Sequence, residues 1–421
     1  MSGDLHRRAL LSSGTLPTVK PLRQAPPKGW EPGVRFDPST EVGEVITEPL
    51  PAGQTPDWSH IFEHFKLDPE RYEIVPPVEM RSWEGWASDD GDAKVTRWLY
   101  YYKARFQPRS AMAAGRDVSD LVAALRKDRR VSRLSTGDYA LVVNLSDWQT
   151  GKRDGDGTVG LIGRVRQAIA ELRGRVADLR KLGINIGVIY VVGLGDMVEG
   201  CDGHYSMQSF TVELNRRDQI KLARRLSAEF IREASRLAEQ VVVVAVGGNH
   251  GENRRNGKSF TDFADNDDVA MFEQIAEAFA ENPDAYGHVS FVIPHDELAV
   301  TLDVSGTIVT WTHGHLFGTG STAENKAKSW LSSQALHKHV SGQCDLLISG
   351  HYHHFRVAQW GAVGWVQAPA LDGGSDWWRN TTAEHSPPGV LTLVVGKGIS
   401  ASGWGHPYML GETVASDHVN E

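Results

Sequence analysis

The chain has 421 residues, of which 40% are apolar, 23% charged and 9% aromatic, the composition of an ordinary soluble globular protein. This length allows one large core or two domains. With 44 basic residues against 53 acidic ones, the net charge of -9 argues against a protein that coats nucleic acid non-specifically, although it leaves room for a locally basic cleft.

Cysteine content and hydropathy bear on the compartment. Cys201 and Cys344 are the only cysteines, too few for a disulfide framework. No stretch reaches the roughly 18 uninterrupted apolar residues of a membrane span, and residues 1–14 lack the apolar core of a signal peptide. We therefore expect a soluble cytoplasmic protein that has no contact with a membrane.

The N-terminal third lacks a strong repeating pattern. Prolines are concentrated in residues 17–77, where their fixed φ and missing N–H oppose regular structure. We interpret residues 1–69 as a Pro-rich arm or loosely structured lead-in. Two aromatic and β-branched runs, separated by the polar stretch ASDDGDAK, then predict a hairpin, and residues 117–130 predict a helix.

Residues 70–135 are therefore predicted to form a small β-rich module with a helix. The sequence leaves its role open between recruiting a partner, gating a site and forming a homo-oligomer.

From residue 138 onward, apolar strands alternate with amphipathic helices. Apolar residues at spacings of three and four predict a long helix over residues 159–182, and a second helix is predicted around residues 211–239. The intervening runs are INIGVIYVVGLGD, VVVVAVGGNH, TIVTWTHGH and CDLLISGHYHH. Nearly all-apolar strands that alternate with helices predict a sheet covered on both faces, here in a domain of residues 136–410 followed by a tail, residues 411–421.

Each apolar run is followed within one to five residues by side chains that bind metal ions. A single aspartate after a strand most often caps a turn, but five such strand ends in order indicate a common site, because ligands bind beyond the carboxyl ends of strands in α/β sheets. Carboxylate, amide and imidazole donors without cysteine suit Mn, Fe, Zn or Mg. The residues are Asp147, Gln149, Asp196, Asn249, His250, His313, His315, His351, His353 and His354.

This ordered set resembles the signature of the calcineurin-like metallophosphoesterases, which is D-x-H, G-D-x-x-D, G-N-H-D/E, a histidine in H-G or G-H context, and G-H-x-H. The chain contains DWQ, GDMVE, GNHGE, THGH and GHYH in that order. The resemblance covers about residues 138–400. It implies a four-layer α/β/β/α sandwich with a two-metal site at one edge, preceded here by the small β-containing N-terminal module.

The resemblance also implies the ligands of each ion. Asp196 is expected to bridge two divalent ions, and Asp147, Gln149 and His353 are expected to complete the shell of the first ion. Mn is favoured, with Mg, Fe, Ni and Zn as alternatives.

For the second ion, the resemblance implies Asn249, His313 and His351 as ligands. The two ions would lower the pKa of a bridging water to give a hydroxide for in-line attack on phosphorus. His250 is then the general acid that protonates the leaving oxygen.

Three positions depart from the family pattern. Gln149 stands where the family has histidine: either its amide oxygen holds the first ion loosely, which favours Mn or Mg over Zn, or it turns away and only one ion binds tightly. Glu199 and Glu252 replace shorter carboxylates, and we hypothesise that both orient His250.

Residues around the predicted ligands suggest substrate contacts. His315 and His354 are expected to orient a ligand or to meet the substrate. Arg254 and Arg255 are cations suited to a phosphate or a nucleic-acid backbone. Trp377 and Trp378 either stack on unpaired bases or pack in a core.

The long insertion after the GD motif and the THGH element are most similar to the DNA repair exonuclease-type branch of the family. We therefore expect a phosphodiesterase or nuclease acting on DNA. Two alternatives stay open: a phosphomonoesterase, including a protein phosphatase, and a non-catalytic binding scaffold on the same fold.

Overall fold

The structure is a computed structural model that describes residues 29–37, 42–51, 54–69, 72–88, 94–108, 118–131, 136–205, 208–255, 257–295, 298–318, 320–374 and 386–412. The chain divides into two compact units, residues 1–114 and 115–421. Among the described residues, no helix has both the length and the apolar character needed to cross a membrane.

In its described residues, the first unit is a five-stranded antiparallel sheet with one helix. Strand β5 is its centre, pairing with β4 along one edge and with β2 and β3 along the other, while β1 pairs with β2. Helix α1 contributes Phe62 to a core that includes Tyr72 and Phe106. The elements are β1 (Gly33–Asp37), β2 (Val42–Ile46), β3 (Leu50–Pro51), α1 (Trp58–His64), β4 (Tyr72–Ser88) and β5 (Lys94–Pro108).

This organisation differs from the predicted division of the N-terminal region. Residues 33–69, expected to be loosely structured, contain three strands and a helix of the same sheet unit. Within this segment, Pro51 ends the two-residue strand β3. In the next strand, β4, Pro76 and Pro77 lie where the β4–β5 register shifts between Val75 and Glu79, and a bulge needs no N–H donor from them. Proline content alone therefore gave a misleading prediction for this segment.

The second unit contains the alternating strands and helices that the sequence predicts. In chain order, its first elements are α2 (Val118–Leu125), β6 (Tyr139–Leu145), α3 (Gly157–Lys181), β7 (Ile186–Gly193), α4 (Arg216–Ala234), β8 (Gln240–Ala245), β9 (Arg254–Arg255), β10 (Lys258–Ser259), α5 (Asp267–Ala280) and α6 (Pro283–Tyr286). The elements that follow α6 are β11 (Val289–Val292), β12 (Ala299–Val304), β13 (Thr307–Thr312), α7 (Ala323–Leu336), β14 (Leu346–Ser349), β15 (Arg356–Trp360), β16 (Val363–Gln367), β17 (Val390–Val395) and β18 (Trp404–Leu410).

Helix α2, which the sequence assigns to the N-terminal module, belongs to this second unit. Leu125 at its end is fully buried, and the backbone oxygen of Leu125 accepts a hydrogen bond from the Asn282 side chain at 2.8 Å. Asp128, just beyond the helix, pairs with Arg232 of α4 at 2.8 Å.

Two sheets pack face to face. The first has the order β11-β8-β7-β6-β17-β18 and the second β12-β13-β14-β16-β15. Strands β11, β8, β7 and β6 are parallel, as are β13, β14 and β16. One core cluster draws side chains from both sheets, including Val192, Trp311 and Leu393, so the two inner faces bury each other.

Helices cover the two outer faces. α3 and α4 contact β7, and α5 contacts β8, on the first sheet. On the second sheet, Leu331 of α7 packs in one cluster with Leu347 and Trp365. The layer order is α/β/β/α, and the predicted fold class is confirmed.

Side-chain caps fix the first residues of helices α4, α5 and α7. Asn215, Asn266 and Thr322 precede α4, α5 and α7, and each accepts a backbone N–H two or three residues later. Such caps satisfy N–H groups that the first helical turn leaves without partners.

Substitution of a leucine between the sheets tests the packed core. Leu393→Ala removes fully buried methyl groups and is expected to lower the free energy of unfolding by ~2–5 kcal/mol in a urea titration. The matched control is Leu336→Ala at the end of α7, where the side chain is 82% exposed and the change should stay within ~0.5 kcal/mol. Equal effects of the two substitutions would contradict the buried interface between the sheets.

Candidate metal centre

The predicted ligands lie at strand ends with unusual backbone geometry. φ is 50° at Asp147, 42° at Gln149, 52° at Asp196, 73° at His351 and 60° at His353. Residues with a Cβ rarely adopt this left-handed region, which costs about 1–3 kcal/mol at each position. Strain of this kind at five residues that follow strands of the two packed sheets indicates a functional site.

Three ligand atoms come together at the centre of this edge. The ligand atoms of Asp196, His313 and His351 all lie within 4.8 Å of one another. His313 Nδ1 lies 2.8 Å from the carbonyl oxygen of Leu194, which can only accept, so Nδ1 donates. In the neutral ring, Nε2 would then face Asp196 Oδ2, 3.0 Å away. Two lone pairs at this distance repel each other unless a proton or a metal ion lies between them.

The surrounding polar atoms fit a divalent ion at this point. Asn249 Oδ1 and His313 Nε2 are buried without a hydrogen-bond partner in the described structure, a costly state that an ion would relieve. Burial and the nearby His313 lower the pKa of His351 to about 3, so this imidazole is neutral and able to bind metal. One carboxylate, one amide and two imidazoles suit a borderline or hard ion such as Mn²⁺.

Asp196 and His313 shift each other's pKa values. Burial raises the pKa of Asp196, but the charges of His313 and His250 hold it well below its ordinary value. Burial lowers the pKa of His313, but Asp196 and Asp147 raise it to about 10. Asp196 and Asp147 therefore favour positive charge at this point, which a proton on His313 or a bound divalent ion would supply.

Asp147 links the two sheets beside this centre. It is fully buried, and its Oδ2 accepts a hydrogen bond from the backbone N–H of His351 at 3.0 Å and one from Ser146 Oγ. Its Oδ1 lies 3.3 Å from His353 Nε2. Although burial raises the pKa of Asp147, His353 and His313 together hold it below its ordinary value.

The predicted first-ion group contains a cation of the protein itself. Lys152 Nζ donates a hydrogen bond to Gln149 Oε1 at 2.9 Å and is paired with the carboxylate of Asp372. Gln149 Nε2 lies 3.4 Å from His353 Nε2. Asp147 Oδ1 in this group is also buried without a hydrogen-bond partner among the described residues, but the amide oxygen of Gln149 is hydrogen-bonded to an ammonium. The group therefore does not fit an ion as well as the four residues of the centre do.

His250 is held at the edge of the centre through both its backbone and its ring. Its N–H donates to Asp196 Oδ1 at 2.8 Å. Its Nδ1 lies 2.7 Å from the Glu199 carbonyl oxygen, so Nδ1 is a donor and Nε2 is the nitrogen left for a substrate. The Glu199 carboxylate is 3.5 Å from Nδ1, and the ring of His204 stacks on His250 at 4.2 Å.

Glu252 has different partners from the predicted one. Its carboxylate accepts a hydrogen bond from Arg254 Nε at 2.7 Å and lies 3.2 Å from His315 Nε2. Glu252 thus orients His315, whose ring is 5.4 Å from that of His313, and only Glu199 is placed to orient His250.

The other predicted substrate residues lie around this edge. Arg255 is exposed in the short β9–β10 hairpin, and His354 is half-buried directly after His353. Trp377 and Trp378 lie outside the described residues.

Asp268 holds the candidate site together and was not predicted from the sequence. Its fully buried carboxylate accepts backbone N–H groups of Asp196 at 2.9 Å, Gly248 at 3.0 Å and Met197 at 3.1 Å. It thereby clamps the loops after β7 and β8 together. Its only sequence signal is a position in the first turn of α5, which any capped helix shares.

Lys152 and Asp372 were also missed. Asp372 lies five residues beyond the end of β16, so the strand-end pattern that selected the other ligands extends to it. Lys152 has no comparable signal, because its role depends on a partner 220 positions away in the sequence.

Comparisons with known proteins show low similarity. No family model and no curated protein matches the chain. Among solved structures, it is similar to a predicted phosphoesterase from Streptococcus pneumoniae at 13% identity, covering 61% of this chain and 83% of that chain with a TM-score of 0.26.

Two further solved structures show similarity at the same level. Vps29 from Entamoeba histolytica, in complex with Zn²⁺, is 13% identical, with 60% and 84% of the two chains covered and a TM-score of 0.26. An archaeal phosphodiesterase is 9% identical, with 64% and 99% covered and a TM-score of 0.29. At these TM-scores, the function proposed for this chain rests on its own site geometry.

Asp268→Asn tests the clamp. Burial and the charge of Asp196 raise the pKa of Asp268 to about 7, so above that pH the substitution replaces an acceptor-only carboxylate by an amide that leaves a buried N–H unpaired. We expect a loss of ~1–3 kcal/mol in unfolding free energy and a loss of ~10-fold or more in Mn²⁺ affinity by calorimetry.

Asp267→Asn is the matched control for this clamp. Asp267 is the neighbouring residue and pairs with the half-exposed Arg216 at 2.6 Å, so the cost should stay below ~1 kcal/mol and Mn²⁺ affinity should not change. An equal change of metal affinity in both variants would refute a specific clamp by Asp268.

Proposed function

We propose that the chain is a metal-dependent phosphoester hydrolase that cleaves phosphodiesters, with DNA as its substrate class. One observation carries the proposal: the donor atoms of Asp196, His313 and His351 converge within 4.8 Å directly beside His250, whose backbone is bonded to Asp196. A metal ion and an adjacent imidazole that can donate a proton are the groups that phosphoester hydrolysis requires. The resemblance to calcineurin-like metallophosphoesterases supports the same reaction class.

The proposed division of labour follows from the contacts. Asp196, Asn249, His313 and His351 would hold a divalent ion, which supplies Lewis-acid polarisation of a phosphoryl oxygen and a lowered pKa of a coordinated water. His250 then delivers a proton from Nε2 to the leaving oxygen, because its Nδ1 is fixed on the Glu199 carbonyl. The Glu199 carboxylate stabilises the charged imidazole.

Exposed side chains in the loops after the ligands favour a nucleic-acid substrate. Phe210 and Phe260 are 70% and 66% exposed, and Phe263 is 47% exposed. Aromatic faces of this kind stack on unpaired bases. Arg255 and Lys258 are exposed on the hairpin that follows His250, where they can contact backbone phosphates. These features support DNA over a phosphoprotein.

The substrate class is tested with two chromogenic esters and DNA. With Mn²⁺ present, we expect hydrolysis of bis-p-nitrophenyl phosphate in preference to p-nitrophenyl phosphate, and cleavage of labelled single-stranded DNA. His351→Ala should reduce both activities by about 100-fold or more, because it removes a direct ligand. His339→Ala, at an exposed histidine outside the site, should leave both unchanged.

Other results of these assays would select the alternative functions. Hydrolysis of the monoester alone would favour a phosphomonoesterase and contradict the diester proposal. Absence of any hydrolysis, together with absence of Mn²⁺ binding, would favour a non-catalytic scaffold.

The role of His250 is tested by varying the leaving group. His250→Ala should slow the cleavage of diesters with alkyl leaving groups by ~10²–10⁴-fold, but should slow p-nitrophenyl esters much less, because p-nitrophenolate leaves without a proton. Initial rates at saturating Mn²⁺ give this ratio directly. Equal slowing of both ester types would contradict general-acid catalysis by His250.

The two glutamates provide a matched comparison for the same assay. Glu199→Gln removes the carboxylate 3.5 Å from His250 Nδ1 and should reproduce part of the leaving-group dependence. Glu252→Gln should not, since Glu252 contacts His315 and Arg254.

A further inference from the structure

A lysine ammonium lies among the residues predicted to hold the first ion. Lys152 Nζ donates to Gln149 Oε1 at 2.9 Å and pairs with the Asp372 carboxylate. A glutamine binds a metal ion through its amide oxygen, since its nitrogen carries only donors. The atom of Gln149 that an ion would require therefore already faces a cation of the protein.

Backbone hydrogen bonds fix this arrangement from two loops. The N–H of Lys152 donates to the Gln149 carbonyl at 3.0 Å, which closes the turn after β6. The N–H of Leu371 donates to the Asp147 carbonyl at 3.2 Å, and the N–H of Gly374 donates to Asp372 Oδ1 at 3.2 Å. Asp372 is thus placed beside the turn by contacts independent of its own ion pair.

The ion pair is inside the protein. The side chains of Lys152 and Asp372 are 12% and 6% exposed. An ammonium in such a place persists only with a carboxylate and further hydrogen bonds around it, and Asp372 with Gln149 provides both. A divalent ion bound to Gln149 would have to displace this ammonium or lie against it at low dielectric, where like charges repel strongly.

We propose that Lys152, held by Asp372, takes the place of the first metal ion, so that the chain binds a single divalent ion at Asp196, Asn249, His313 and His351. The proposal rests on the metal-dependent function for the presence of an ion. A single bound ion, and the replacement of the first ion by Lys152, go beyond that function.

The number of ions is measured on the intact chain with Mn²⁺. Calorimetric titration and elemental analysis should give one Mn²⁺ per chain, and the electron paramagnetic resonance spectrum should be that of an isolated ion. Two bound ions with an exchange-coupled spectrum would overturn the proposal while leaving the metal-dependent function intact. Absence of binding would overturn both, so the two failures are distinguishable.

A pair of double variants tests whether Lys152 is the residue that prevents a second Mn²⁺ from binding. Gln149→His with Lys152→Met restores the imidazole of the family pattern and removes the ammonium, and should gain a second Mn²⁺ with an exchange-coupled spectrum. Gln149→His with Arg153→Met keeps Lys152 and removes an exposed neighbouring cation instead; it should still bind one ion.

Lys152→Arg retains the positive charge and should also bind one ion. Circular dichroism establishes that each variant is folded. If the folded Gln149→His, Lys152→Met chain binds no second ion, Lys152 is not what excludes it and the proposal fails.

Discussion

Burial of two carboxylates at one sheet edge is the constraint on which the site depends. Asp147 and Asp196 are 0% and 1% exposed, and an uncompensated charge in such a place is prohibitively costly. One oxygen of each carboxylate accepts a hydrogen bond from a backbone N–H of a neighbouring loop: Asp196 accepts from the N–H of His250, and Asp147 accepts from the N–H of His351. The carboxylates therefore fix the loops as well as offering their remaining oxygens to cations.

This use of the carboxylates explains two glycines of the motifs. A Cβ at Gly248 would lie 2.2 Å from Asp196 N and Oδ1, and a Cβ at Gly350 would lie 2.3 Å from Ser146 Oγ and 2.7 Å from Asp147 Oδ2. Only a residue without a side chain allows the loops to come this close. The glycine before Asn249 and the glycine before His351 are thus required by packing against the carboxylates.

The parts of the structure that the sequence could predict are those encoded locally. Apolar strands alternating with helices predicted a sheet covered on both faces, and Asp196, His313 and His351 could be selected because each lies one to three residues after such a strand. Parallel strands bring their carboxyl ends to one edge, so residues that each follow a different strand could be predicted to lie in the same site. The folded segment at residues 33–69 was missed because strand pairing with β5 overrides the effect of proline composition.

Contacts between distant segments could not be predicted in this way. Asp268 has the same sequence context as any residue in a capped first turn, and its three bonds to ligand loops depend on how α5 packs against β8. Glu252 was assigned to His250 because it is close in sequence, whereas the loop turns it towards His315. The partners of such side chains are determined by how the loops pack in the folded protein, which motif spacing does not predict.

The proposed exchange of an ion for Lys152 has a consequence for the charge of the site. Asp147, Asp196 and Asp372 carry three negative charges, which one bound divalent ion and the ammonium of Lys152 would balance. With two divalent ions in addition to the ammonium, the same residues would leave an excess of positive charge, which favours a dianionic monoester. A balanced site gains less from the second negative charge of a monoester, since the interaction scales with the charges involved. The proposed single-ion arrangement and the proposed preference for a singly charged phosphodiester therefore depend on the same charge balance.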